Sequence, residues 1–266
     1  MKHIGFVDYY LSEWHANHYP AWIEEASRAL GEPFAVTAAW AELDVSPVDG
    51  VDTDAWCAQF GVRRAPSVEA LCREVDCIIV LAPSDPEKHL SYAEQVLPFG
   101  KPTYIDKTFA PDLATAERIF ALADRYGTPL FSSSALRYGS ELAGLSCQSV
   151  GTTGGGSNLS EYIVHQAEMV IKLLDAEPLS ASVERTDSGC VCRAELAGGK
   201  RAVMTYSPEL PFAFSADGEG MREVNSPIFP TLMRDMLRFF GDGKPSFPRE
   251  QTLWVMKLRD LILQAY

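Results

Sequence analysis

Residues 75–110 read VDCIIVLAPSDPEKHLSYAEQVLPFGKPTYIDKTFA, and the order of elements in them decides the fold. Cys77 to Leu81 is an unbroken apolar run rich in Ile and Val, the pattern of a parallel strand covered on both faces. Pro83 and Pro86 end that strand. Glu87 to Pro98 has helical length and character, Gly100 closes the helix, and Pro102 to Ile105 forms the next strand. Asp106-Lys107-Thr108 then stands at a strand's carboxyl end, where open α/β sheets place ligands. A Lys beside an Asp at such a tip is a candidate for chemistry, and a surface Lys near a helix cap is the alternative.

Outward from this unit the same alternation continues. Lys2 to Val7 and Phe34 to Trp40 read as strands on the N-terminal side, and Pro129 to Ser132 as one on the C-terminal side. Between them lie a helix capped by Ser12 and ended by Gly31, then helices over Asp54 to Phe60, Val68 to Glu74 and Asp112 to Tyr126. Residues 1–135 therefore predict a Rossmann-like, doubly wound parallel sheet. Residues 136–266 change character. A helix, LSEYIVHQAEMVIKLL, is followed by strands at Ser182 to Thr186, Cys190 to Ala197, Lys200 to Ser207, Pro211 to Ser215 and Met221 to Val224. Gly198-Gly199 makes a hairpin turn, and helices over Ile228 to Phe240 and Arg249 to Tyr266 close the chain. This half predicts an α+β domain with a mostly antiparallel sheet. Residues 151–158, GTTGGGSN, read as a hinge or mobile loop, because no strand and no Lys frame them as a phosphate cradle.

Composition narrows the function. A length of 266 residues buries a large core, and a net charge of −13 leaves no basic surface for nucleic acid. No apolar run approaches a membrane span, and Met1-Lys2-His3 runs straight into a strand without a signal-peptide core. The six Cys contain no C-x-x-C pair, so reduced, mostly buried thiols and a cytoplasmic location are expected.

The loop after the first strand is the anomaly. A dinucleotide site wants Gly-x-Gly-x-x-Gly there, so that backbone can approach the pyrophosphate at a helix N-terminus. This chain has Asp8-Tyr9-Tyr10-Leu11-Ser12, and no glycine between Gly5 and Gly31. Asp8 adds a negative charge where phosphate would sit. Glu42 is the nearest acid for ribose hydroxyls at the end of the second strand, with Asp44 next. His15 and His18, three apart, would share a helical face, either as polar lining of a pocket mouth or as part of a metal site, although no third ligand of matching spacing is near.

In order and spacing the chain resembles the Gfo/Idh/MocA (glucose–fructose oxidoreductase, inositol dehydrogenase, MocA) family of NAD(P)-dependent sugar oxidoreductases. Ala82-Pro83-Ser84-Asp85, His89, Gly100-Lys101 and Asp106-Lys107-Thr108 match that family's Thr-Pro-Asn-type loop, helix His, Gly-Lys and Glu-Lys-Pro, with Thr108 in place of proline. Arg137-Tyr138 resembles its Arg-aromatic pair. After the glycine run, Glu161, His165 and Glu168 keep the separations of its Asp, His and Asp, on one helical face.

The resemblance implies catalytic roles for Lys107, His165 and Glu161. It implies a cofactor, NAD or NADP, beside Ala82, Pro83, Ser84, His89, Asp106 and Lys107. Asp8 and Tyr9 join that set by their place in the loop, without a motif. Arg137, Tyr162 and Glu168 would meet a sugar, cyclitol or related polyol, and a homodimer or homotetramer is implied. A neutral imidazole suits removal of a hydroxyl proton near pH 7 while hydride leaves for nicotinamide. Transient use of a tightly held dinucleotide would give a redox-neutral isomerase, epimerase or lyase. The competing readings are a relative that has lost the cofactor and binds a sugar-like ligand or protein partner, and a metal-assisted enzyme built on His15 and His18.

Overall fold

The computed structural model describes all residues 1–266, and they form two units. The first comprises residues 1–132 and 229–246, the second residues 133–228 and 247–266. The sequence division at 135/136 thus lies three residues from the observed boundary, and it missed the return of residues 229–246 to the first unit.

The first unit is built on a six-stranded parallel sheet. Its strands are β1 (Lys2–Asp8), β2 (Phe34–Ala41), β3 (Arg63–Arg64), β4 (Cys77–Val80), β5 (Thr103–Ile105) and β6 (Leu130–Phe131). Their order across the sheet is β3-β2-β1-β4-β5-β6, every pair parallel, the doubly wound arrangement. Ile4, Phe6, Ile78, Ile79 and Val80 are fully buried, which explains why the central strands read as continuous apolar runs. Gly5 has a packing reason to be glycine, since a Cβ there would run into the side chain of Leu71.

Helices α1 (Trp14–Leu30), α2 (Thr53–Phe60), α3 (Val68–Glu74), α4 (His89–Val96) and α5 (Leu113–Tyr126) connect the strands. Gly31, Gly61 and Gly127 stop α1, α2 and α5 in the left-handed conformation. The predicted helix 87–98 is α4 flanked by single turns of 3₁₀ helix at Pro86–Lys88 and Leu97–Phe99. Both flanking prolines fall in these tighter turns, where a missing N–H costs little.

Helix α7 (Ile228–Asp242) belongs to the first unit from residue 229 onward. It buries Leu232, Met233, Met236, Leu237, Phe239 and Phe240, with Phe239 edge-on to Phe131 at 5.0 Å. Lys2 donates through Nζ to the carbonyls of Phe240 (2.9 Å) and Gly241 (3.1 Å), a cation at the negative end of the helix.

The second unit packs α6 (Leu159–Leu174) and α8 (Arg249–Ala265) with a six-stranded mixed sheet. Its strands are β7 (Ser149–Gly154), β8 (Pro178–Thr186), β9 (Gly189–Leu196), β10 (Lys200–Tyr206), β11 (Ala213–Ala216) and β12 (Arg222–Glu223), in the order β12-β11-β7-β10-β9-β8. Only β7 and β10 run parallel. Residues 151–158 are therefore not loop throughout. Their first half is an inner strand, and a Cβ at Gly155 would strike the carbonyl oxygens of Ser207 and Pro208. The glycines serve close backbone approach.

Candidate active site

In the first unit the carboxyl ends of β1, β4 and β5 bring together Asp8, Ala82 and Asp106. Asp8 is 1% exposed. Its Oδ1 accepts from the backbone N–H of Tyr9 (2.7 Å) and Ala82 (2.9 Å), while Oδ2 has no hydrogen-bond partner. Burial first, then the charge of Glu13 and to a smaller degree that of Asp106, pushes the Asp8 carboxyl well above the usual carboxylate range. Asp106 Oδ1 accepts from Tyr19 (3.3 Å) and Tyr104 (3.1 Å), and its Oδ2 is unpartnered. Burial, with Asp106 and Glu13 nearby, raises the Tyr19 phenol well above its ordinary value and keeps it a donor. His15 Nδ1 lies 3.4 Å from Glu13 Oε2 and 3.6 Å from Asp106 Oδ2, without a hydrogen bond to either.

The cap of α1 differs from expectation. Ser12 does not cap it, because its hydroxyl donates to Asp49 Oδ2 at 2.7 Å. Glu13 is the N-cap, and its carboxylate accepts from the N–H groups of His15 (2.7 Å) and Ala16. The positive end of α1, where a Rossmann domain receives pyrophosphate, thus carries the chain's own anion.

Lys107 follows β5, half-buried, and its Nζ donates to the Pro83 carbonyl at 3.3 Å. The Lys107–Thr108 peptide is cis. Pro83 and Ala82 are buried and Ser84 is exposed. His89 is 0% exposed, with ring nitrogens 2.6 Å from the Leu81 carbonyl and 3.1 Å from that of Phe109. Burial lowers its pKa. The wholly enclosed imidazole bridges the Leu81 and Phe109 carbonyls and so ties the chain after β4 to the chain after Lys107. Glu42 does stand at the end of β2, but accepts from Lys88 Nζ (2.6 Å) and Tyr92 (2.8 Å), with Lys88 also 4.6 Å above the Tyr9 ring. His18 Nδ1 meets the Trp14 carbonyl at 2.6 Å, and no cluster of three His, Cys, Asp or Glu side chains has the geometry to hold a metal ion.

In the second unit, Asn158 caps α6 by accepting from the Glu161 N–H at 2.8 Å. Asn158 Nδ2 in turn lies 3.2 Å from the Glu161 carboxylate. One turn on, His165 Nδ1 sits 2.6 Å from Ser134 Oγ, with Tyr162 and Phe212 flanking the ring at 5.8 and 5.4 Å. Glu161, Tyr162 and His165 are half-buried, whereas Glu168 is buried.

Arg137 and Glu168, expected to meet substrate, pair with each other. Arg137 Nε donates to Glu168 Oε1 at 2.6 Å, its Nη2 to Gln251 Oε1 at 2.6 Å, and the guanidinium lies 3.8 Å from the Phe247 ring centre. Glu168 Oε2 accepts from the Ser134 N–H at 3.2 Å. The pair therefore supports the residue that meets His165. Ser134, which carries no motif of its own, is the partner that sequence reasoning missed.

Residues 15–133 match the family model described as an oxidoreductase family with an NAD-binding Rossmann fold, GFO_IDH_MocA. This stretch, a little under half of the chain, is thus similar to the nucleotide-binding part of the Gfo/Idh/MocA oxidoreductases. No curated protein sequence matches the chain. Among solved structures, UDP-N-acetylglucosamine 3-dehydrogenase GnnA from Acidithiobacillus ferrooxidans is 15% identical, with TM-score 0.73, covering 99% of this chain and 97% of its own. A putative myo-inositol dehydrogenase from Sinorhizobium meliloti is 11% identical, with TM-score 0.72 and coverages of 100% and 97%. Biliverdin reductase from Synechocystis sp. PCC 6803, solved with biliverdin and NADP+, is 17% identical, with TM-score 0.70 and coverages of 99% and 97%. At these identities the likeness establishes a shared fold for the whole chain.

The fit to the family's dinucleotide is divided. Of the residues that the resemblance implies for the cofactor, Ala82–Ser84 and Lys107 lie together at the ends of β4 and β5. The pyrophosphate end has the Glu13 cap and the buried Asp8 in place of open N–H groups.

Proposed function

We propose that the protein is an oxidoreductase acting, with NAD or NADP, on a secondary hydroxyl of a sugar, cyclitol or related polyol. The observation that carries this reading is Lys107, held at the carboxyl end of β5 against the loop after β4, in a stretch that matches the model of an NAD-binding oxidoreductase family. When bound, the dinucleotide supplies the hydride acceptor.

The chain's own groups provide proton handling and orientation. Lys107 donates a hydrogen bond to the reacting oxygen. His165 takes the hydroxyl proton through Nε2, in the tautomer whose Nδ1–H donates to Ser134 Oγ. The Arg137–Glu168 pair fixes Ser134 through its backbone N–H, and so fixes the plane of the imidazole. Glu161 and Tyr162, one turn toward the N-terminus of α6, bind neighbouring hydroxyls. The resemblance also supports a homodimer or homotetramer through the outward face of the second sheet, where Val203 is exposed.

The test is a screen of sugars, cyclitols and polyols with NAD+ and NADP+, followed by nicotinamide absorbance. Lys107→Ala and His165→Ala should each abolish turnover of the best substrate while leaving the fold intact. Full activity in both would overturn the assignment. One observation, the Glu13 cap, favours a second reading, in which the chain has lost the dinucleotide and binds a sugar-like ligand or protein partner without catalysis.

A further inference from the structure

We infer that the Glu13 carboxylate is a built-in occupant of the anion seat at the N-terminus of α1, and that it limits how tightly the chain takes a dinucleotide. This rests on the oxidoreductase reading. Helix α1 is 17 residues long and begins directly after the β1 loop, the place where a Rossmann domain offers N–H groups to pyrophosphate. Here the two oxygens of one carboxylate take the N–H groups of His15 and Ala16, as two phosphate oxygens would.

The rest of the cradle is equally engaged. The Tyr9 and Ala82 N–H groups donate to Asp8, and that of Glu13 donates to the Leu11 carbonyl. The loop is tied from outside as well. Glu42 N–H donates to the Asp8 carbonyl at 3.1 Å, Leu43 N–H to that of Tyr9 at 2.8 Å, and the Ser46 hydroxyl to that of Ser12 at 3.0 Å. A diphosphate arriving at this seat meets no open N–H among these groups and faces the carboxyl groups of Asp8, Glu13 and Asp106. The buried Oδ2 atoms of Asp8 and Asp106 have no donor, so this part of the acid cluster is left without a hydrogen bond to offset it. Dinucleotide binding therefore requires Glu13 to swing out and give up both N–H groups, so its charge and its cap oppose the ligand together.

Two substitutions separate the charge from the cap. Glu13→Ser keeps a neutral N-cap acceptor, and Glu13→Gln keeps size and shape without charge. The full-length protein and both variants are titrated calorimetrically with NADH, NADPH and ADP, the last a probe of the diphosphate end alone. Circular dichroism confirms the fold of each, and Glu13→Gln carries the test if Glu13→Ser does not fold.

Binding of at least one probe at least about tenfold tighter in a variant is the expected result, from loss of like charge at the helix terminus. Equal or weaker binding of every probe in every folded variant overturns the inference. If the parent protein binds NADH and no variant binds more tightly, the inference fails and the oxidoreductase reading stands. If neither parent nor variants bind any dinucleotide, both fail.

Discussion

Replacing Arg137 by Met should destabilise the protein by about 3–5 kcal/mol, the cost of leaving one member of a buried ion pair behind. The magnitude follows from what the guanidinium does. Arg137 and Glu168 are 6% and 4% exposed, and their 2.6 Å hydrogen bond is charge-assisted. Removing Arg137 strands the Glu168 carboxylate with only the Ser134 N–H at 3.2 Å, and unpairs Gln251 Oε1 on its other side. Glu168→Gln in the same chain removes the stranded charge and keeps an acceptor for Ser134. The double variant should therefore recover most of the loss, to within about 2 kcal/mol of the parent. Urea unfolding followed by circular dichroism measures both. A single-variant loss below about 1 kcal/mol, or a double variant that loses the sum of the two singles, would refute the account of this network.

Asp8→Asn should stabilise the fold at neutral pH. The folded-state pKa of Asp8 is raised, so between the ordinary carboxylate value and that raised value the folded state binds the extra proton and stability falls as pH rises. The variant's advantage should be present at pH 8 and vanish near pH 3, where the acid is protonated in both states; a constant difference would contradict this. Gly155→Ala should cost at least about 1–3 kcal/mol, because its Cβ meets backbone oxygens that cannot turn aside. An unchanged urea midpoint would show that β7 can shift. Ser134→Ala should lower kcat by about tenfold or more with little change in KM, and Ser134→Thr should restore most of it. Loss of stability alone, with kcat intact, would count against its role in orienting His165.

What the sequence made legible follows from the strength of the local signal. The β4–α4–β5 stretch carries an apolar run punctuated by Pro and Gly, and it folds as that punctuation dictates. Helix α6 was visible from its 16-residue pattern, and the match of Lys107 and His165 to the family rested on spacing along the chain. Strand β7 was not legible, because its inward positions, Val150, Thr152 and Gly154, carry little apolar signal. They are small because Gln166 of α6 enters the sheet there, bonding Thr152 and the Gly154 carbonyl. The α1 cap was assigned to Ser12, whose hydroxyl turns instead to Asp49, 37 residues away. No local rule contains that contact. The pairing of Arg137 with Glu168 was not legible for a similar reason. Both are charged and matched a family pattern, and only the fold reveals that they are buried against each other 31 residues apart.

The most direct test of the central claim, that the chain works with a nicotinamide dinucleotide, is thermal unfolding with and without saturating NAD+, NADH, NADP+ and NADPH. A ligand that binds only the folded state raises the midpoint in proportion to its occupancy. The account predicts a clear rise with one redox pair and a smaller or absent rise with the other. No shift with any of the four, together with no dinucleotide released from the purified protein on denaturation, would contradict it.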